Sequence, residues 1–105
     1  MSYLITEINQ SIIKIGYTSN IAVRMNTYYT YNPNAYLIDV EEGSEKDEKN
    51  WHLVLEYLGF ERIVKNENVL EWFKIPKEIA KNEIKKYGFD YLRVMCINKN
   101  NKENA

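Results

Sequence analysis

Four polar side chains in the first half of the chain are of types that together can act on a phosphodiester: Tyr3, Lys14, Arg24 and Glu48. A carboxylate can hold Mg²⁺ through one or two protein oxygens, with water and substrate phosphate completing the shell, while a lysine and an arginine face the phosphate charge. Each residue also has a plainer reading. Glu48 suits the first turn of any helix, where the dipole favours acids. Arg24 fits a surface arginine, Lys14 a strand lysine snorkelling to solvent, and Tyr3 a strand aromatic with its hydroxyl at the surface. Other chemistries find little support. There is no glycine-rich phosphate loop and no Cys/His cluster, with His52 the one histidine and Cys96 the one cysteine, so P-loop hydrolysis, hydride transfer and zinc catalysis lack their residues.

The elements that must position these residues follow from local pattern. Residues 2–8 (SYLITEI) and 11–17 (SIIKIGY) are β-branched, aromatic and partly alternating around Asn9-Gln10, which predicts a β-hairpin with Tyr3 and Lys14 on neighbouring strands. Thr18 and Ser19 offer caps for a helix from about residue 20 to 28 that carries Arg24 and has Ile21 and Met25 on one face. Asn32-Pro33-Asn34 spells a turn, and residues 35–42 (AYLIDVEE) a third strand that ends at Gly43-Ser44. Ser44 with Asp47 makes a near capping box for a helix reaching Leu58, stopped by Gly59. Its apolar stripe is Trp51, Val54, Leu55 and Leu58, with Glu48 roughly 70° from the centre of that stripe. Residues 60–68 read as an irregular or hairpin excursion and residues 69–75 as a strand. Pro76 then opens a basic amphipathic helix to Tyr87, stopped by Gly88. The segment FDYLRVMCI reads as one last strand, giving a single domain over residues 1–97, and residues 98–105 as a polar tail with nothing to bury.

A resemblance enters at these residues. Residues 14–24, KIGYTSNIAVR, resemble the second half of the GIY-YIG nuclease signature, in which an arginine follows eight residues after the glycine, and Gly16 and Arg24 keep that interval. Ser2-Tyr3-Leu4-Ile5 is similar to the first half, with Tyr3 in the place of the GIY tyrosine, although the glycine and isoleucine are missing. Thr30-Tyr31-Asn32-Pro33, Glu48-x-x-x-His52 and Leu70-Glu71-Trp72-Phe73 resemble the T-G-N-P, E-x-x-x-H and G-E-W-F blocks of the small phage-associated branch of that superfamily.

The resemblance implies an α/β (α+β) domain with a central three-stranded antiparallel sheet flanked by helices, which hydrolyses DNA with one divalent cation, Mg²⁺ or Mn²⁺. It implies Glu48 as the metal ligand, Arg24 on the scissile phosphate, and Tyr3 positioning or deprotonating the attacking water. Lys14 stands where a second tyrosine is usual and where this branch carries lysine. With an ordinary pKa of about 10.4 it would be a poor base at neutral pH, so electrostatic stabilisation is its easier role. Tyr28 stands where relatives carry a tyrosine or histidine that helps at the water, or else an apolar packing residue. His52, one turn beyond Glu48, either touches phosphate and orients the ligand or is a core-edge histidine beside Trp51.

Charge is uneven along the 105 residues: two basic against two acidic groups over residues 1–40, four against nine over 41–73, and eight against four over 74–105, for a net charge of −1. Nucleic-acid binders show a basic face, so Lys74, Lys77 and Lys81 are the candidate DNA contacts, unless they are simply a solvated helix face. The acidic middle third predicts weak, salt-dependent non-specific affinity. A lone cysteine, no basic leader and no apolar run near roughly 18 residues favour an intracellular protein off the membrane. No extra sequence-reading module is evident, so targeting is expected from a protein partner, a homodimer or substrate shape. The expectation is a DNA endonuclease of viral or mobile-element type. Its rivals are a catalytically degenerate copy that binds nucleic acid or a host protein in a regulatory or anti-defence role, and an interaction protein docking through Tyr28, Tyr29, Tyr31 and Tyr36.

Overall fold

The computed structural model describes residues 1–65 and 68–104, with residues 65 and 68–70 described by their backbone alone. The expected hairpin is β1 (Ser2–Glu7) paired antiparallel with β2 (Ile12–Tyr17), Tyr3 lying opposite Gly16 and Ile5 opposite Lys14. Strand alternation sends Tyr3 and Ile5 to one face and Leu4 to the other, where Ile13 and Ile15 join it. The Tyr3 ring crosses directly over Gly16. A Cβ at position 16 would stand 2.3 Å from the Tyr3 hydroxyl oxygen, so only glycine leaves room for the tyrosine there.

β3 (Ala35–Glu41) pairs with the other edge of β1, with a register shift between Leu4 and Ile5. The expected three-stranded sheet is not what forms: among the described residues the sheet has five strands, all antiparallel, in the order β3-β1-β2-β5-β4, with β3 at one edge. The excursion after Gly59 is β4 (Glu61–Lys65), which pairs with β5 (Asn68–Lys74). β5 places Lys74, Phe73 and Trp72 opposite Ile12, Ile13 and Lys14. Two needs are met at once: the open edge of β2 gains hydrogen-bond partners, and Phe73 fills the core beside Ile13, both fully buried.

α1 (Ile21–Tyr31) lies over the Tyr3 face with Met25 against Tyr3 and Ile5. Its cap is Asn20, whose side-chain oxygen accepts from the Val23 N–H at 3.2 Å, while the Thr18 hydroxyl accepts from the Asn20 N–H at 3.1 Å and shapes the approach. α2 (Glu45–Tyr57) lies on the opposite face, with Leu55 among Leu4, Ile13 and Ile15. It opens on the expected box, the Asp47 carboxylate accepting from the Ser44 N–H at 2.7 Å.

The C-terminal third departs from expectation. The helix expected from Pro76 is α3 (Lys81–Tyr87), preceded by a turn, and the expected last strand is the start of α4 (Phe89–Glu103), which also takes in most of the expected tail. The reason is a helical stripe: Phe89 and Leu92 are fully buried and Met95 packs on the same core, three residues apart each time. Gly88, at φ 60°, makes the break, and the Asp39 carboxylate caps the new helix by accepting from the Phe89 N–H at 3.0 Å. At the far end the Tyr57 hydroxyl donates to Glu103 at 2.8 Å and Lys99 Nζ donates to the Tyr57 carbonyl. No described helix is long and apolar enough to cross a membrane.

Candidate active site

Arg24 lies in the first turn of α1, four residues past its Asn20 cap, and its Nη1 donates to the Tyr3 hydroxyl oxygen at 3.2 Å. The Tyr3 and Tyr28 hydroxyl oxygens are also 3.2 Å apart, and the two rings meet edge to face with centroids 6.1 Å apart. Lys14 Nζ sits 5.4 Å from the Tyr28 ring centroid and donates to Glu71 Oε2 at 2.8 Å. A guanidinium only donates, so the Tyr3 oxygen accepts from Arg24 and keeps its own proton for Tyr28 or a bound oxygen.

The protonation states follow from these neighbours. Burial of the fully enclosed Tyr3 phenol, reinforced by Tyr28, raises its pKa well above the ordinary value despite Arg24. Tyr3 is therefore a neutral phenol at physiological pH. Burial works against the Lys14 charge, but the Glu71 carboxylate and the Tyr28 hydroxyl outweigh it and hold Lys14 above its usual pKa. Glu71 is in turn held below the usual carboxylate range by its hydrogen bond from Lys14. Lys14 is thus a fixed cation rather than a base.

Arg24 also lines a cleft of about 400 Å³ at the Tyr17 end of β2, walled on the other side by Glu45, Glu48 and Lys49 of α2. The Glu48 side chain is 21 % exposed, and its Oε1 lies 3.9 Å from His52 Nε2. His52 is buried at 8 % exposure, with Nε2 2.8 Å from the Ile15 carbonyl and its ring tilted on Phe73 at 5.4 Å. A carbonyl can only accept, so Nε2 carries the proton. His52 thereby fastens α2 to β2 and fixes where Glu48 stands one turn earlier, without itself lining the cleft. The donor set for a cation is Glu48 with Glu45 beside it, and the described residues hold no cluster of three metal-ligating side chains. Two carboxylates and open space fit a hard ion such as Mg²⁺, which keeps most of its water and takes phosphate oxygens for the rest.

Of the residues singled out in the sequence, Tyr3, Lys14, Arg24 and Tyr28 form one contiguous cluster, and Arg24 links it to the cleft that holds Glu48. The three candidate DNA lysines stand elsewhere. Lys74 pairs with Ile12, roughly 16 Å along β2 from Tyr17 at 3.3 Å per residue, and Lys77 lies beside it near Glu61 and Glu78. Lys81 Nζ donates to the carbonyls of Glu7, Ile8 and Gln10 and so clasps the hairpin turn, and burial followed by Lys85 holds its pKa below the ordinary lysine value. Elsewhere in the basic third, Lys85 lies 4.7 Å from the Tyr36 ring centroid, and Arg93 is held by Glu41 and Asp90. Sequence reasoning missed Glu45 and Lys49, although Glu45, Glu48 and Lys49 at i, i+3 and i+4 share one helix face.

Fold and site together define a small α+β protein with a carboxylate- and arginine-lined cleft at one end of an antiparallel sheet. The chain belongs to the T5orf172 domain family, a phage-associated family whose profile matches residues 2–88, which includes every residue of the cleft and of the Tyr3 cluster. No curated protein and no solved structure matches it.

Proposed function

We propose that the chain is a metal-dependent DNA endonuclease of the GIY-YIG type, with Glu48 placing the cation. The observation that carries this reading is the position of Arg24, which touches the Tyr3 hydroxyl on one side and faces the Glu48 cleft on the other. A phosphate in the cleft meets the guanidinium fork, which suits two phosphate oxygens and the charge that grows on them. Lys14, kept cationic by Glu71, adds a second positive centre near the tyrosines. Tyr3, a neutral phenol enclosed behind Arg24, does not reach the cleft; by accepting from the guanidinium and bonding Tyr28 it fixes the fork that faces the phosphate. His52 keeps Glu48 aimed at the cleft. The Mg²⁺ or Mn²⁺ ion, when bound, supplies positive charge at the phosphate oxygens and lowers the pKa of water.

A second reading, a copy that binds nucleic acid or a host protein without cutting it, is favoured by one observation. The surface lysines expected to hold DNA stand away from the cleft, leaving Arg24 and Lys49 as its cations. One experiment separates the two. Purified protein with Mg²⁺ or Mn²⁺ nicks supercoiled plasmid in the first case, and Glu48→Ala and Arg24→Ala abolish nicking while remaining folded by circular dichroism at the assay temperature. A wild type that is inert with either metal yet shifts DNA on a gel supports the second.

A further inference from the structure

We propose that the edge of α1 carrying Arg24, Tyr28 and Tyr31 leads to a stacking surface for unpaired bases, with Tyr31 receiving a base near the phosphate at Arg24, so that the substrate is single-stranded or locally opened nucleic acid. The inference rests on the nuclease reading and specifies its substrate. Arg24, Tyr28 and Tyr31 are spaced by four and then three residues and fall in one row along α1, with Tyr31 about 10 Å from Arg24 along the axis. That distance is about three nucleotide steps of a stacked strand, and fewer for an unstacked one. Tyr28 is half-buried against the Tyr3 cluster, whereas Tyr31 at 85 % exposure is the most exposed large hydrophobic side chain among the described residues. Packing against the core therefore gives no reason for a ring at Tyr31.

Charge favours a nucleic acid on this face over α2. Residues 8–38 contain no aspartate or glutamate, and their only charged side chains are Lys14 and Arg24. Of the acids that neighbouring strands present, Glu71 is paired with the Lys14 cation, while Glu7 accepts from the neutral amides of Asn32 at 3.0 Å and Gln10 at 2.9 Å and remains a single negative charge. The opposite wall of the cleft bears Glu45 and Glu48 against one cation, Lys49, so it is net acidic and a strand leaving the cleft is favoured along α1 over α2. An aromatic face without fixed hydrogen-bond donors accepts any base by its π-surface, and in an intact duplex those surfaces are already stacked.

The test is fluorescence anisotropy with a labelled single-stranded 12-mer and its duplex, Ca²⁺ replacing Mg²⁺, run beside the plasmid and oligonucleotide cutting assays. Tyr31→Ala weakens single-strand binding about tenfold or more and leaves duplex binding within twofold, while Tyr31→Phe and Tyr31→Trp keep wild-type affinity. Single-strand affinity unchanged in Tyr31→Ala, or an equal loss on duplex, overturns the inference while leaving the nuclease reading intact if cutting persists. A wild type that neither binds nor cuts any of these DNAs overturns both. Because Tyr31 is exposed, an unchanged melting temperature in Tyr31→Ala confirms that the loss comes from binding.

Discussion

Gly16→Ala joins the stability of the fold to the geometry of the site. The added methyl would meet the Tyr3 hydroxyl oxygen at 2.3 Å, its Cζ at 2.4 Å and a third ring atom at 2.9 Å. These atoms cannot swing aside, because the ring is fully buried and its oxygen is held by Arg24 and Tyr28. Carbon and oxygen need well over 3 Å, so the ring must shift by about an ångström. Overpacking of this kind costs about 1–3 kcal/mol, and loosening the hydrogen bonds adds about 1 kcal/mol, for a total of about 2–4 kcal/mol. For a domain of this size that is a fall in melting temperature on the order of 10–25 °C. Urea unfolding gives the free energy directly, and the same substitution in a Tyr3→Leu background isolates the clash, since the shorter side chain removes the atoms that Cβ meets. Most of the cost disappears there. A Gly16→Ala protein within about 0.5 kcal/mol of wild type, or an equal cost in both backgrounds, would refute it. If the nuclease reading holds, nicking falls as well, because displacing the phenol separates Tyr3 from Arg24.

Three further outcomes are expected. His52→Ala leaves the Ile15 carbonyl without its donor and opens space beside Phe73, costing about 2–4 kcal/mol in urea unfolding and lowering any Mg²⁺ affinity measured by calorimetry. The Glu71 pKa is depressed in the fold, so its contribution is present above the unfolded carboxylate pKa of 4.5 and is lost as pH falls through the folded value; the gap between wild type and Glu71→Gln, about 0.5 kcal/mol for this half-exposed pair, stays constant from roughly pH 6 to 9 and shrinks below about pH 4.5. Asp39→Ala removes the cap of α4 and destabilises by about 1 kcal/mol, with the greatest loss of amide-exchange protection in the first turn after Gly88.

The first 58 residues were legible because their signals are local and unopposed. Alternating β-branched residues made the hairpin, Asn-Pro-Asn the turn, and Ser44 with Asp47 the start of α2. The segment after Gly88 carried two signals in conflict: Tyr91, Val94 and Ile97 suit a strand, while Phe89, Leu92 and Met95 suit a helix stripe. Burial of the stripe decided it, together with a cap from Asp39, fifty residues earlier. Spacing alone gave the cluster of Tyr3, Arg24 and Lys14 little support; the resemblance to the GIY-YIG signature is what singled these residues out together. What Lys81 does could not, because its partners are backbone carbonyls more than seventy residues away, and an amphipathic pattern does not record them.

That lysine clasp bears on the order in which a newly made chain can fold. The hairpin is synthesised before the residues that complete it: its turn is tied by residue 81 and the edge of its second strand is filled by residues 72–74. Until those arrive, Ile12 and Ile13 offer an apolar strand edge to any neighbouring polypeptide. The hairpin therefore completes its hydrogen bonding only once residue 81 has been synthesised, and slow translation between the hairpin and that residue lengthens the time during which this edge can aggregate.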